Sequence, residues 1–257
     1  MTPTTHHLQQ GTPEWFEHRA RHFNASEAAA MLGISPYLSR SDLLRMKATG
    51  AEQEFGPAAR KRLDDGHRFE AAARPYAEQE IGEELYSPIL SLEVEGLPLS
   101  ASFDGLTLMG DVVWEHKTLS KELDRRMAQG EIPDYHRVQL EQQLLVSGAE
   151  RALFTASDGT EERARHLWYE SDPALCQRLL EGWKQFRRDL AAWQPEESTT
   201  DAVGRSPDAL PALRIEVQGA VVASNLGAFR EHALEVFRGI RTDLATDEDF
   251  ADAEQTV

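Results

Sequence analysis

Ser102-Phe103-Asp104-Gly105 is followed, after Leu106–Leu108 and a Met109-Gly110-Asp111 turn, by Val112-Val113-Trp114-Glu115-His116-Lys117, and this stretch decides the fold. Two short apolar runs around a glycine turn predict a β-hairpin. Side chains alternate faces along a strand, so Glu115 and Lys117 share one face while Trp114 and His116 take the other. The hairpin lays Asp104 beside Glu115. Two carboxylates and an ammonium on one sheet face are unfavourable unless a cation joins them. A hard divalent ion meets that need, because Mg2+ prefers carboxylate and carbonyl oxygens, keeps several waters and suits phosphate chemistry. Lys117 would orient or deprotonate the attacking water while the ion neutralises charge on the phosphate. The backbone carbonyl of His116 is a further candidate ligand. So is Glu70, which ends Gly66-His67-Arg68-Phe69-Glu70 on a neighbouring helix. The bland alternative is a solvated strand face with a surface salt bridge. The Ser-x-Asp-Gly motif and the tight hairpin weigh against it.

On the N-terminal side, residues 13–31 read as helical, interrupted by Asn24 and Ser26, both good N-cap residues. A short helix is expected around 41–48, and a longer one from Pro57 to Ile81, broken near Asp64-Asp65-Gly66. Residues 86–94 and 97–103 read as strands. On the C-terminal side, helices are expected at 121–129 and 133–147, strands at 152–156 and 163–169, and an amphipathic helix at 173–193. The fold class is α/β, with a mixed central sheet of about five strands flanked by helices and Asp104, Glu115 and Lys117 at one edge. Residues 1–193 form the main domain. Residues 194–211 are polar and proline-bearing, hence a linker, and 212–257 are an extension of unknown role in which 214–222 read as strand and 226–244 as helix.

The net charge of −17 argues mildly against a polyanionic partner. Six carboxylates follow the last basic residue, Arg241, yet the chain stays acidic without them. Contact with nucleic acid would need a concentrated basic face or bound metal. Arg60, Lys61 and Arg62, with Lys121, Arg125 and Arg126, are candidates for a basic rim. Cys176 is the only cysteine, which excludes intrachain disulfides and cysteine-based iron–sulfur sites. His67, His116 and His136 are too dispersed for a zinc site. No apolar run approaches the length of a membrane span, and the N-terminus lacks a signal-peptide pattern, so a cytoplasmic protein is expected.

Six segments, in order, resemble the phage lambda exonuclease and YqaJ-type viral recombinase family, with its PD-(D/E)xK (restriction-endonuclease-like) core. They are Gly11–Arg19, Asn24–Ala28, Gly66–Glu70, Ser102–Gly105, Glu115–Lys117 and Gln139–Gly148, and the resemblance covers roughly residues 11–190. The resemblance implies that Asp104 and Glu115 bind catalytic Mg2+ and that Lys117 is the catalytic lysine. It assigns Glu70 to the family's helical acidic residue and Gln139 to the glutamine that steadies the attacking water or the lysine. The expected cofactor is two Mg2+ ions, with Mn2+ as substitute. Arg19 and Ser26 would hold the DNA 5′-phosphate; free N–H groups at a helix start attract anions, and arginine binds phosphate bidentately. The sequence departs from the family pattern at Glu141, often glutamine, and at Tyr135, one residue early.

The implied activity is 5′→3′ digestion of double-stranded DNA ends in phage-type recombination. The implied partners are a single-strand annealing protein and further copies of the chain in a trimeric ring; no membrane partner is expected. Two competitors stay open: a structure- or nick-directed endonuclease on the same fold, and a DNA-binding assembly module with a weak or vestigial site.

Overall fold

The computed structural model describes residues 2–51 and 56–194. The expected linker, strand and helix beyond residue 194 lie outside them. From the N-terminus the chain forms strand β1 (Thr4–His6), helix α1 (Pro13–Arg21), strand β2 (Phe23–Asn24), a 3-10 turn (Ala25–Glu27), and helices α2 (Ala28–Met31), α3 (Arg40–Thr49) and α4 (Pro57–Ile81). Strands β3 (Leu85–Tyr86), β4 (Ile89–Val94), β5 (Leu97–Ser102), β6 (Gly105–Thr107) and β7 (Val112–Thr118) follow. Helices α5 (Lys121–Met127) and α6 (Asp134–Ser147), strands β8 (Arg151–Ser157) and β9 (Arg165–Glu170), and helix α7 (Pro173–Ala192) complete the described chain.

The expected α/β architecture is present, with its strands divided between two sheets. One is five-stranded and mixed, in the order β3-β6-β7-β8-β9; the other has the order β1-β4-β5-β2. Pro88 explains part of the division. It has no N–H to give a ladder, and it separates β3, which pairs with β6, from β4, which pairs with β5. The expected strand over 86–94 is therefore two strands in two sheets. Strand β7 lies in the middle of its sheet, between β6 and β8. Glu115 and Lys117 thus sit on the central strand, a correction to the edge position expected from sequence.

Both faces of β7 are covered, which makes the strand nearly continuous in burial. Trp114 and Leu153, paired across β7 and β8, pack on Ala73 and Ala77 of α4. Val113, Ala152 and Phe154 face the main core, which includes Val138, Leu140 and Leu144 of α6 and Leu179, Trp183 and Phe186 of α7. Trp183 stacks on Phe23 with ring centroids 4.7 Å apart, and its Nε1 donates to Gln142 Oε1 at 2.7 Å. Gln142 Nε2 in turn donates to Phe23 O and Ser100 O, so one amide braces α6, α7, β2 and β5.

Helix α4 runs unbroken through Gly66, contrary to the expected split. Packing against the sheet supports the helix where propensity alone is weak. A Cβ at Gly66 would meet only Thr118 Oγ1, at an ordinary 3.6 Å, whereas one at Gly182 of α7 would fall 2.6 Å from Met31 Sδ and 2.7 Å from Leu32 Cδ2. Opposite outcomes are expected for one chemical change. Gly66→Ala should stabilise by about 0.4–1 kcal/mol through the unfolded chain, and Gly182→Ala should destabilise by about 1–3 kcal/mol through overpacking. Urea denaturation of the two variants would check this; equal shifts would contradict the packing described.

Candidate active site

Asp104 occupies the corner between β5 and β6. Gly105, next to it, pairs with Trp114, and a Cβ there would lie 3.0 Å from both Trp114 Cε3 and Leu85 Cδ1. Only glycine lets the corner close so tightly over the indole. The Asp104 side chain then reaches β7, accepting the His116 N–H on Oδ2 at 2.8 Å. Its backbone carbonyl is held from the other side by Ser87 Oγ at 2.9 Å and by Arg74 Nη2 from α4. Arg74 also donates to Leu85 O at 3.1 Å, tying the helix to the corner.

Glu115 is 2% exposed. Lys117 Nζ donates to its Oε1, as does Gln139 Nε2 at 2.6 Å, and Gln143 Nε2 donates to its Oε2 at 2.6 Å. Glu115 and Lys117 therefore share a face, as the alternation required. His116 points the other way, its ring bonded to Ser157 Oγ at 2.9 Å, and burial pushes its pKa down to about 4. Burial raises the Asp104 pKa well above the usual range, with the nearby Glu115 charge adding to it and Lys117 opposing it. Burial also raises that of Glu70, and Glu115 adds to the rise. For Lys117, desolvation acts downward but Glu115, Asp104 and Glu70 outweigh it, so the amine is held more firmly as an ammonium.

A single cleft of about 1480 Å³ is lined by Glu70, Asp104, Glu115, His116, Lys117 and Gln139, and also by Arg19 and Ser26. It exceeds the roughly 300–1,000 Å³ of small-molecule pockets and suits a segment of polymer. At its far wall, both terminal nitrogens of Arg19 lie 3.3 Å from Ser26 Oγ, and the guanidinium lies over the Trp15 ring, 4.9 Å from its centroid. Glu27 holds Arg19 at 2.9 Å and Lys47 at 2.8 Å, and it also accepts the Asn24 N–H. Asn24 is the N-cap of this turn, leaving the exposed Ser26 hydroxyl beside Arg19.

Some expectations separate here. Glu70 lines the cleft, but its nearest ionic partner is His67 Nδ1 at 3.8 Å, and no three His, Cys, Asp or Glu side chains among the described residues form a cage for a metal. Of the expected basic rim, Arg60 and Arg62 line the cleft, while Arg125 and Arg126 are engaged by Glu122. Glu141, two residues from Gln139, turns about 200° away round the helix and accepts from Ser171 Oγ at 2.6 Å and Asp172 N at 3.0 Å. Its departure from glutamine leaves the cleft untouched. Sequence reasoning missed Gln143 and Arg74. Each lies four residues beyond a singled-out side chain, Gln139 or Glu70, and the i,i+4 rule places it on the same helix face.

Solved structures share this fold. An alkaline exonuclease (LHK-Exo) from Laribacter hongkongensis aligns with a TM-score of 0.59 and 22% identity, covering 70% of this chain and 93% of that one. Its complex with dAMP gives 0.57 at the same identity and coverage. A phage related exonuclease from Haemophilus somnus 129PT gives 0.50 and 10% identity over 66% of this chain and 94% of the other. No curated protein matches the chain. Residues 14–150, over half of the sequence, match the YqaJ-like viral recombinase domain, and they carry the Arg19–Ser26 wall, the Asp104–Glu115–Lys117 centre and Gln139; the chain belongs to that family.

Proposed function

We propose that this chain is a divalent-metal-dependent DNA exonuclease that digests duplex ends 5′→3′ during phage-type recombination. The observation that carries the reading is the convergence of Asp104, Glu115, Lys117 and Gln139 on the same cleft as the Arg19–Ser26 pair. Family membership supports DNA as the substrate.

The donor set fits a hard divalent ion. Two carboxylates meet at the cleft floor with the pKa of Asp104 raised, the electrostatic signature of a site short of positive charge. Mg2+ needs only one or two carboxylates because it keeps much of its water. Asp104 and Glu115 would hold it, with the His116 carbonyl and Glu70 as further ligands, and two Mg2+ (or Mn2+) ions make the full complement. Such an ion supplies Lewis acidity and charge neutralisation at the scissile phosphate. Lys117 keeps a proton at Nζ beside Glu115, from which it orients the entering water and stabilises developing negative charge. Gln139 shares Glu115 Oε1 with Lys117 and so limits where the amine can go. Arg19 and Ser26 take the 5′-phosphate, which selects ends over internal bonds. The nuclease domain is residues 1–193, and trimerisation and an annealing-protein partner belong to the same proposal, as does a cytoplasmic site of action.

With Mg2+, linear duplex should be degraded from its 5′ ends while covalently closed circles persist, and chelation should abolish the activity. Lys117→Ala should lower the rate by about 10²–10⁴-fold with unchanged circular dichroism; full activity in that variant would remove Lys117 from the chemistry. Arg19→Ala should lose about 10–100-fold in kcat/KM on 5′-phosphorylated ends, the value of a charge-assisted hydrogen bond, and little on 5′-hydroxyl ends. Equal losses on both would contradict a phosphate role.

Metal-free stability offers an independent check. Asp104 has a raised folded pKa, so the stability tied to it is present below the unfolded value near pH 4 and lost as pH rises through the folded value. In chelator, Asp104→Asn should melt higher than the parent, by a margin that grows as pH rises. Comparison with the parent removes His18 and His116, whose pKa values burial lowers to about 4 and which act in the opposite sense. A margin that shrinks with pH would refute the described charge balance.

A further inference from the structure

Gln143 is fully buried on α6, one turn beyond Gln139. Its Nε2 donates to Glu115 Oε2 at 2.6 Å and makes a longer contact with Ser102 O at 3.5 Å. Both partners are acceptors, so the amide has one tolerable orientation. Turned over, it would set its carbonyl oxygen against a carboxylate and a peptide oxygen. The orientation has a consequence for its own Oε1, which is the one buried side-chain polar atom among the described residues without a hydrogen-bond partner.

Gln142 shows what a bracing amide looks like here: its nitrogen serves Phe23 O and Ser100 O, and its oxygen accepts from Trp183 Nε1. Gln143 differs. An orphaned buried oxygen is unfavourable and rare in native structures, and an apolar side chain of similar shape would avoid it only by taking this donor from Glu115 Oε2. What the amide supplies is a fixed Glu115. Gln143 is absent from the cleft lining, whereas Lys117 and Gln139, which meet Oε1, belong to it. One oxygen of Glu115 is therefore gripped from the protein side and the other is presented with the cleft residues.

We propose that Gln143 is a positioning residue for divalent-ion binding: by holding Glu115 Oε2 it keeps Oε1 turned to the cleft. This rests on the metal-dependent reading above. Groups that orient a metal ligand are typically worth about 10–100-fold in metal affinity or activity. A purely structural residue would show its loss in folding instead.

The test is Gln143→Met, which keeps the length of the side chain and removes both polar atoms, with Gln143→Leu as a second variant. Three quantities are read: the melting temperature in chelator, the Mn2+ dissociation constant by calorimetry without DNA, and the Mg2+ concentration for half-maximal digestion of linear duplex. The expected result is a variant that stays folded in chelator, its melting temperature lowered modestly because Glu115 Oε2 loses a donor, with both metal constants raised about 10–100-fold and partial recovery of rate at high Mg2+. Parental metal constants in a folded variant would overturn the proposal. So would a fall in metal-free melting temperature that accounts for the lost activity. A parent chain that itself neither bound Mn2+ nor cut DNA would instead sink the metal-dependent reading.

Discussion

Glu115 is a carboxylate placed in the middle of a sheet, beside Asp104 and within the field of Glu70, where desolvation and like charge both act against it. Three donors make the position tenable: Lys117 on the same strand, and Gln139 and Gln143 on α6. Each donor is placed by apolar contacts elsewhere. Val113 and Phe154 set the strand, and Val138, Leu140 and Leu144 set the helix against it. On the opposite face, Trp114 with Ala73 and Ala77 seats α4, which carries Glu70 and Arg74 to the same corner. The core and the site are thus one arrangement, because rotating α6 by one residue would carry Gln139 and Gln143 off Glu115 and remove two of the three donors.

The acidic character of the chain is met locally. Arg19, Lys47, Arg60, Arg62 and Lys117 line the cleft with as many carboxylates, Glu17, Glu27, Glu70, Asp104 and Glu115, so the cleft is balanced where the chain as a whole is acidic. Many other basic side chains are engaged in surface pairs such as Arg125–Glu122 and Arg21–Glu17. A concave surface focuses the field of its own charges, so net charge is a poor guide to what the cleft attracts. At the Arg19 wall, Glu27 does not cancel this. It faces two cations, Arg19 and Lys47, and so orders them while leaving positive charge in excess. His18 adds a mechanical link, its ring bonded to Ser100 Oγ at 2.9 Å, which fixes α1 on β5 one residue before Arg19.

How legible the site was depended on sequence distance. The Asp104–Glu115–Lys117 group spans a short hairpin, and strand alternation with one glycine turn suffices to bring it together. The Arg19–Ser26 pair is close in sequence, across one helix end, yet its assignment came from family resemblance. Gln139 needed family resemblance, because a glutamine on an amphipathic helix carries no signal of its own. Gln143 and Arg74 were passed over although each sits one helical turn from a residue already singled out. Their roles depend on what lies across from α6 and α4, and composition does not contain that.

By itself, the chain of residues determined the order and type of the helices and of most strands, though not of β1 and β2, together with the hairpin that brings Asp104 beside Glu115 and the family. Local propensity and side-chain periodicity act over a few residues, and those features are local. Only the tertiary structure decided that the strands divide into two sheets, that β7 is central, that α4 runs straight through Gly66, and that Glu115 is held by a second glutamine. These follow from which surfaces bury one another across tens of residues, where packing outweighs the weak preferences of single positions.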